Sequence, residues 1–177
     1  MKMLKKLLAV VLTGAMALTL FTACGSNAVR DKDIADALNN IVKLNDSEVT
    51  FTPRAKEREM AQKLAALLES HSEDDSNSAE PSAKIQGILG IDQGGVNENN
   101  FVWVQNALTD KLGAEGQAFQ VMESLTDKGG AYNFSSLGSK EPADTRYMGT
   151  ALCKIPDQKD NLVTVRVIVV TAKAEDE

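Results

Sequence analysis

The feature that most constrains the fold is an apolar stretch at residues 162–172, near the end of the sequence. Its pattern has the two-residue period of a β-strand, in which alternate side chains point to opposite faces. One set of alternating positions is Val163, Val165, Val167 and Val169. The other set is Leu162, Thr164, Arg166, Ile168 and Val170. Because both sets are mainly apolar, both faces of the strand need cover, which predicts helices on both sides of the sheet.

Two more strands are predicted upstream. Residues 146–155 form an apolar run that a short polar loop, residues 156–161, joins to the first strand as a hairpin. Residues 101–104 read Phe-Val-Trp-Val, and Trp103 is predicted to lie in the core, with a ligand-stacking role as the alternative. Residues 48–52 are predicted to be short and extended.

Three helices are predicted from apolar residues at helical spacing. The first, with Asp31 or Asp33 as its cap, has an apolar face of Ile34, Leu38, Ile41 and Val42. The second is predicted to have Thr52 at the N-cap and Pro53 at the first helical position, and to expose its charged residues, Glu57 among them. The third covers residues 114–127 and ends at a Lys-Gly-Gly sequence. The predicted fold class is therefore α+β, an α-β-α sandwich in which a small antiparallel sheet has helices on both faces.

The remaining segments are predicted to be loops. Residues 73–82 are acidic and serine-rich, which is typical of a solvated loop, although a calcium loop is the alternative. The spacing does not follow the EF-hand pattern, so calcium is not favoured. Residues 84–95 are expected to be irregular because four glycines interrupt them, with one short strand as the alternative, and residues 131–145 are expected to form a long loop.

The first 24 residues indicate where the chain is located. Lys2, Lys5 and Lys6 precede an apolar run of about 15 residues, which suits a signal peptide better than a membrane-spanning helix. The run ends in small residues directly before Cys24 and so resembles the lipobox of bacterial lipoproteins, with Phe21 where leucine is usual. This resemblance implies cleavage after Ala23 and a diacylglycerol on Cys24. The alternatives are an uncleaved membrane helix or an ordinary secretory signal with a chance cysteine.

The predicted organisation is therefore a signal peptide at residues 1–23, a lipidated tether at residues 24–31 and one domain at residues 32–177. Two acyl chains suffice for stable attachment, so the predicted location is the extracytoplasmic face of the cell membrane. The mature chain has 19 − 3 = 16 Lys and Arg against 25 Asp and Glu, a formal charge of −9. That charge argues against a nucleic-acid partner and against electrostatic docking on anionic lipid.

Few residues in the sequence indicate that the chain catalyses a reaction. If Cys24 is acylated, only Cys153 remains, and its position in an apolar strand predicts a buried structural thiol. There is one histidine in the chain, which argues against a multi-histidine metal site and a conventional catalytic triad. No cofactor or metal is predicted.

The order of these elements resembles the CAP superfamily of cysteine-rich secretory, antigen 5 and pathogenesis-related proteins. The partial matches are His71-Ser72 at a helix end, Glu98-Asn99 before a strand, and Tyr147-Met148-Gly149 in a later strand. The resemblance covers about residues 32–172 and implies an α-β-α sandwich with a cleft of two histidines and two acidic residues. When the family's cleft residues are carried over to this sequence, His71 and Glu98 are the candidates for that cleft, and Glu123 is a third candidate with a weaker match. The family's second histidine has no counterpart here. The alternatives are a helix-terminal role for His71 and a turn-stabilising role for Glu98.

These observations leave three functional hypotheses. The first is a non-enzymatic, lipid-anchored domain that binds an unknown envelope ligand or protein. The second is an envelope-polymer or peptide hydrolase that uses His71 as a base and Glu98 as its partner. The third is a structural or assembly lipoprotein, which an exposed apolar patch without a cleft would favour.

Overall fold

The computed structural model describes residues 29–72, 80–91, 100–109, 111–157 and 159–176. The elements, in chain order, are α1 (Asp31–Leu44), β1 (Thr50–Pro53), α2 (Ala55–Ser72), α3 (Glu80–Leu89), β2 (Asn100–Leu108), α4 (Ala114–Thr126), a 3-10 turn (Lys128–Gly130), α5 (Phe134–Leu137), β3 (Glu141–Pro156) and β4 (Leu162–Glu175). The fold class is α+β, with a four-stranded sheet between helices, as predicted.

The four strands lie in the order β1-β3-β4-β2. The hairpin of β3 and β4 forms the centre of the sheet, with Pro156 opposite Leu162 at its closed end. Strand β2 pairs with β4 in antiparallel orientation. Strand β1, in contrast, pairs with β3 in parallel orientation, so the sheet is mixed and not wholly antiparallel. The parallel pair is possible because β1 is joined to β3 by a long connection, which contains α2, α3, β2, α4, the 3-10 turn and α5, and not by a hairpin.

Two apolar clusters, one on each face, enclose the sheet. The first contains side chains from α1 and α4 together with Phe101, Trp103, Met148 and Ile168. The second contains side chains from α2 and α3 together with the valines of β4, such as Val167. The alternation predicted for residues 162–172 is therefore confirmed, because odd positions face one cluster and even positions face the other. Trp103 and Cys153 are buried, as predicted.

Each edge of the sheet is covered by an asparagine side chain. On β1, the backbone N–H of Phe51 donates to Asn39 Oδ1 at 2.6 Å, and Asn39 Nδ2 donates to the carbonyl of Phe51 at 2.9 Å. On β2, the backbone N–H of Val102 donates to Asn133 Oδ1 at 3.0 Å, and Asn133 Nδ2 donates to the carbonyl of Asn100 at 2.9 Å. These contacts satisfy edge groups that would otherwise be open to pairing with another chain.

The start of α2 differs from the prediction. Pro53 is the last residue of β1, where it pairs with Met148, and the helix begins at Ala55. An edge strand tolerates proline because the missing N–H need not reach a neighbour. The backbone N–H of Arg54 then donates to the carbonyl of Met148 at 2.8 Å, which sets the point where the chain leaves the sheet.

Two segments predicted to be irregular are ordered. Residues 80–89 form helix α3, whose Ile85, Ile88 and Leu89 pack against the second cluster at helical spacing. Gly87 is exposed and costs only about 1 kcal/mol of helix propensity, so the apolar face outweighs it. The predicted loop at residues 131–145 contains α5 and the first residues of β3, with a bulge between Pro142 and Arg146.

Helix α4, the third of the predicted helices, ends at Thr126, one residue before the predicted end. Helix α1 buries Ile34, Leu38 and Val42 as predicted. The N-cap of α1 differs from the prediction, because Arg30 is the N-cap and Asp33 accepts the Arg30 N–H at 2.8 Å.

In the part of the chain that the structure describes, no helix has the length and apolar character needed to cross a bilayer.

Candidate functional site: a buried arginine beside Trp103

Of the three residues predicted for the cleft, only Glu123 is described with its side chain. Glu98 is outside the described residues, as is Cys24. The backbone of His71 belongs to the last turn of α2, but its side chain is not described. Glu123 is exposed on α4. The convergence of His71 and Glu98 in one cleft therefore stays a prediction. Among the described residues, no group of three or more His, Cys, Asp or Glu could hold a metal ion.

A different residue, Arg146, is the most unusual polar group in the described part of the chain. It lies on β3 between Phe51 of β1 and Ala172 of β4, and its residue is 3% exposed. Its Nε and Nη1 atoms are buried and have no hydrogen-bond acceptor among the described residues. Leaving buried donors unpaired costs free energy, so native structures contain few of them.

Trp103 forms the platform on which Arg146 rests. The guanidinium carbon of Arg146 lies 4.7 Å from the centre of the Trp103 ring, a cation–π distance. The indole is held in place because its Nε1 donates to the carbonyl of Asp127 at 3.0 Å and its ring stacks on Phe101 at 5.8 Å. The hydrogen bond and the stacked ring therefore both hold the indole in its position beside Arg146.

The electrostatics of the site favour an anion. Burial lowers the pKa of Arg146 to about 10, against a smaller opposing effect of the Asp144 charge. The guanidinium is still charged at neutral pH, and Asp144 itself is exposed. A planar guanidinium presents donors in a fork that matches the oxygens of a carboxylate or phosphate. An anionic group would supply the acceptors that Arg146 lacks.

The second buried arginine on the same face, Arg166, is fully engaged by contrast. Its Nε donates to Gln117 Oε1 at 2.8 Å, its Nη1 to Thr150 Oγ1 at 2.9 Å, and its Nη2 to the carbonyl of Val29 at 2.9 Å. Thr150 in turn donates to Asp31 Oδ1 at 2.7 Å. Burial lowers the pKa of Arg166, while the Asp31 charge opposes that effect. This network joins α1, α4 and the sheet, and each of the three Arg166 nitrogens already has an acceptor within it.

The opposite face contains a buried carboxylate that is also satisfied. Glu57 of α2 accepts hydrogen bonds from Arg54, one of them at 2.7 Å, and from Thr171 Oγ1 at 2.8 Å. Arg54 also lies over the ring of Tyr147, 3.9 Å from its centre. Burial raises the pKa of Glu57, but the hydrogen bonds from Arg54 and Thr171 outweigh it and hold the pKa below its ordinary value. The prediction that Glu57 covers an exposed helix face is therefore wrong, because it is fully buried.

A shallow groove of about 570 Å³ lies between α2 and α3. Its lining is mixed: Lys63, Ala66, Leu67, Ser70, Lys84, Gly87 and Ile88. Lys63 donates to Glu59 at 2.7 Å, so its charge is already partnered. The groove is open to solvent and does not gather convergent polar groups.

Sequence reasoning missed Arg146, and the reason is its position. Arg146 is the first residue of the predicted strand, where a charged side chain is ordinarily at the solvent boundary. The structure extends β3 upstream to Glu141, which places Arg146 inside the sheet and beneath the packed helices. Arg166 offered a clearer signal, since it interrupts a run of valines in the middle of a strand.

Comparison with protein-family models, with curated proteins and with solved structures finds no match to this chain.

Proposed function

We propose that this chain is a lipid-anchored extracytoplasmic domain, without catalytic activity of its own, that binds an anionic ligand of the carboxylate or phosphate class at Arg146. The location rests on the sequence before Cys24: a positive segment, a short apolar run, and small residues directly before the cysteine. The relation to the CAP superfamily belongs to the same proposal and is supported by the helices on both faces of the sheet.

One observation supports the binding role above all others. Arg146 is a buried cation whose Nε and Nη1 have no acceptor among the described residues, and it lies over the ring of Trp103. A purely structural arginine would be expected to have its donors satisfied, as Arg166 does. The cost of the unpaired donors is accounted for if a bound anion supplies the missing acceptors.

Fluorescence of Trp103 provides a direct test, because Trp103 is the one tryptophan of the chain and contacts the proposed site. Inorganic phosphate and acetate are titrated separately into the protein at constant ionic strength. We expect a saturable change in tryptophan emission with at least one of the two anions. In Arg146→Met the saturable change should disappear, since methionine retains an apolar stem but has no donor.

The matched control is Arg166→Lys, a change at the other buried arginine of the same face. It should bind the anion with an affinity within about threefold of the parent chain. Thermal unfolding checks that each variant folds, and Arg146→Met should fold because the substitution removes the unpaired donors together with the charge. The absence of saturable binding in the parent chain, or equal binding by Arg146→Met, would contradict the proposal.

The hydrolase alternative depends on His71 and Glu98, whose side chains lie outside the described residues. It therefore stays a prediction, and activity against envelope polymers that is lost in both His71→Ala and Glu98→Gln would favour it over the binding role.

A further inference from the structure

The point where the chain enters the fold determines which side of the domain faces the lipid. The carbonyl of Val29 accepts a hydrogen bond from Arg166 Nη2 at 2.9 Å, and the Val29 side chain packs against the first apolar cluster. Arg166 pairs with Leu152 across the β3–β4 hairpin. The chain is therefore attached to the domain at the half of the sheet where the hairpin closes.

The segment between this attachment and the proposed lipid is short. Val29 follows Cys24 by 29 − 24 = 5 residues. Because an extended chain spans at most about 3.6 Å per residue, Val29 lies within about 18 Å of the lipid-bearing cysteine. The domain cannot stand far from the bilayer, and the elements close to Val29 are the ones that can reach it.

The closed end of the hairpin projects beyond the attachment point. From the Leu152–Arg166 pair to the Pro156–Leu162 pair is four residues, or about 13 Å along the strands. Leu152 and Leu162 occupy even positions, on the same face as Arg166, and they are 37% and 70% exposed. An apolar side chain as exposed as Leu162 gains by transfer from water to an apolar phase.

The charge of this end suits a bilayer surface. The residues between Leu152 and Leu162 include Lys154 and Lys159 and also Asp157 and Asp160, so their formal charge is zero. The mature chain as a whole is strongly acidic and would be repelled by anionic lipid. A neutral end that exposes leucine is the part of such a chain that approaches lipid at the least electrostatic cost.

We propose that the closed end of the β3–β4 hairpin, with Leu152 and Leu162, is the surface that contacts the membrane lipid. This inference rests on the lipid anchoring proposed above. It fixes the orientation of the domain: the hairpin points toward the bilayer, and the C-terminal end of α1 points away from it. Arg146 lies on the far side of Met148 and Thr150 from the hairpin, in the half of the sheet that this orientation places away from the bilayer.

The orientation can be measured by tryptophan quenching in vesicles. The mature lipidated chain, which begins at Cys24, is reconstituted into phosphatidylethanolamine–phosphatidylglycerol vesicles with a doxyl-labelled lipid as quencher. Leu162→Trp places the probe at the proposed contact. Leu44→Trp is the matched control, because Leu44 is 77% exposed and ends α1, about 20 Å from Asp31 and away from the hairpin. Trp103 is buried in both variants and provides a common background.

We expect the quenching of Leu162→Trp to exceed that of Leu44→Trp by at least threefold. Equal quenching, or stronger quenching at position 44, would overturn the orientation. Flotation of the same samples separates the two proposals. Protein that does not float with the vesicles overturns the anchoring and the orientation with it, whereas protein that floats but shows equal quenching overturns the orientation alone.

Discussion

Two buried arginines on one face of the sheet have opposite roles because of what surrounds them. Arg166 has oxygen acceptors from α4, from β3 and from Val29 before α1, and each of its nitrogens donates to one. Arg146 pairs with Phe51 and Ala172 in the sheet and lies over the Trp103 ring, and its Nε and Nη1 have no acceptor among the described residues. The same residue type is a structural connector in one place and a candidate ligand-binding group in the other.

Glu57 should make the stability of the domain depend on pH in the acid range. Its folded-state pKa is lower than its ordinary value of 4.5, since hydrogen bonds from Arg54 and Thr171 outweigh the effect of burial. A carboxyl with a lowered pKa stabilises the fold fully above its ordinary pKa, and this contribution is lost as the pH falls through the folded-state pKa. Glu57→Gln should cost about 1–3 kcal/mol at pH 7, because a hydrogen-bonded charge is replaced by a neutral amide.

Urea unfolding at pH 7 and at a series of values below 4.5 measures this contribution. The difference between the parent chain and Glu57→Gln should shrink as the pH falls. The control is Glu59→Gln on the same helix, where the carboxylate pairs with Lys63 at an exposed position and no measurable change is expected. A difference between the parent chain and Glu57→Gln that stayed constant down to the lowest pH would show that Glu57 does not titrate as described.

At the scale of the elements, one glycine determines how closely α2 approaches the sheet. A Cβ on Gly149 of β3 would lie 1.9 Å from the backbone nitrogen of Arg58 and 2.3 Å from the carbonyl carbon of Glu57. These are backbone atoms, which cannot rotate away as a flexible side chain can. The contact also brings Glu57 to Thr171, so the close approach and the buried carboxylate depend on each other.

Gly149→Ala should therefore destabilise the domain by about 3 kcal/mol or more, because α2 must move away from β3. Its matched control is Gly87→Ala in α3, where a Cβ would meet nothing within 4 Å. That substitution should stabilise the domain by up to about 1 kcal/mol, since alanine is the better helix former. Denaturant unfolding of the three chains gives both values.

The signs of the two changes are the informative result. A neutral Gly149→Ala would contradict the close packing of α2 on β3. A destabilising Gly87→Ala would contradict the helix at residues 80–89, where the sequence predicted the end of a loop at residue 82 and an irregular segment from residue 84.

Periodicity predicted the existence of most elements correctly, and it failed where local signals competed. Apolar spacing predicted the strands at residues 146–155 and 162–172. It also predicted helices α1, α2 and α4. Thr52-Pro53 looks like a helix start, but pairing with Met148 extends the strand through Pro53 instead. The spacing of residues within a short segment does not show which distant strand that segment will pair with. For the same reason it does not show the packing that stabilises α3 despite its glycine.

At the scale of the whole molecule, the proposed attachment to the membrane depends on one thiol. Cys24→Ser should abolish incorporation of a labelled palmitate and release the protein from the carbonate-washed membrane fraction. Cys153→Ala is the control, because Cys153 is 2% exposed and burial raises the pKa of its thiol, so it is neither accessible nor reactive. The control should retain the label and stay with the membrane.

Retention of the label in Cys24→Ser would show that the acyl group is attached elsewhere. Loss of the label from both variants would point to a folding defect, which circular dichroism of the purified chains distinguishes from a specific loss of the attachment site.

The amino-acid sequence by itself determined the layering of this protein. A strand that is apolar at both odd and even positions must be covered on both faces, because exposed apolar surface is costly in water, and helices with one apolar face are what the chain supplies. The tertiary structure decided the rest: the parallel pairing of β1, the burial of Glu57 and the isolation of Arg146. These depend on which groups meet across long sequence separations, and the free energy of a buried charge is determined by its neighbours in space and not by its neighbours in the chain.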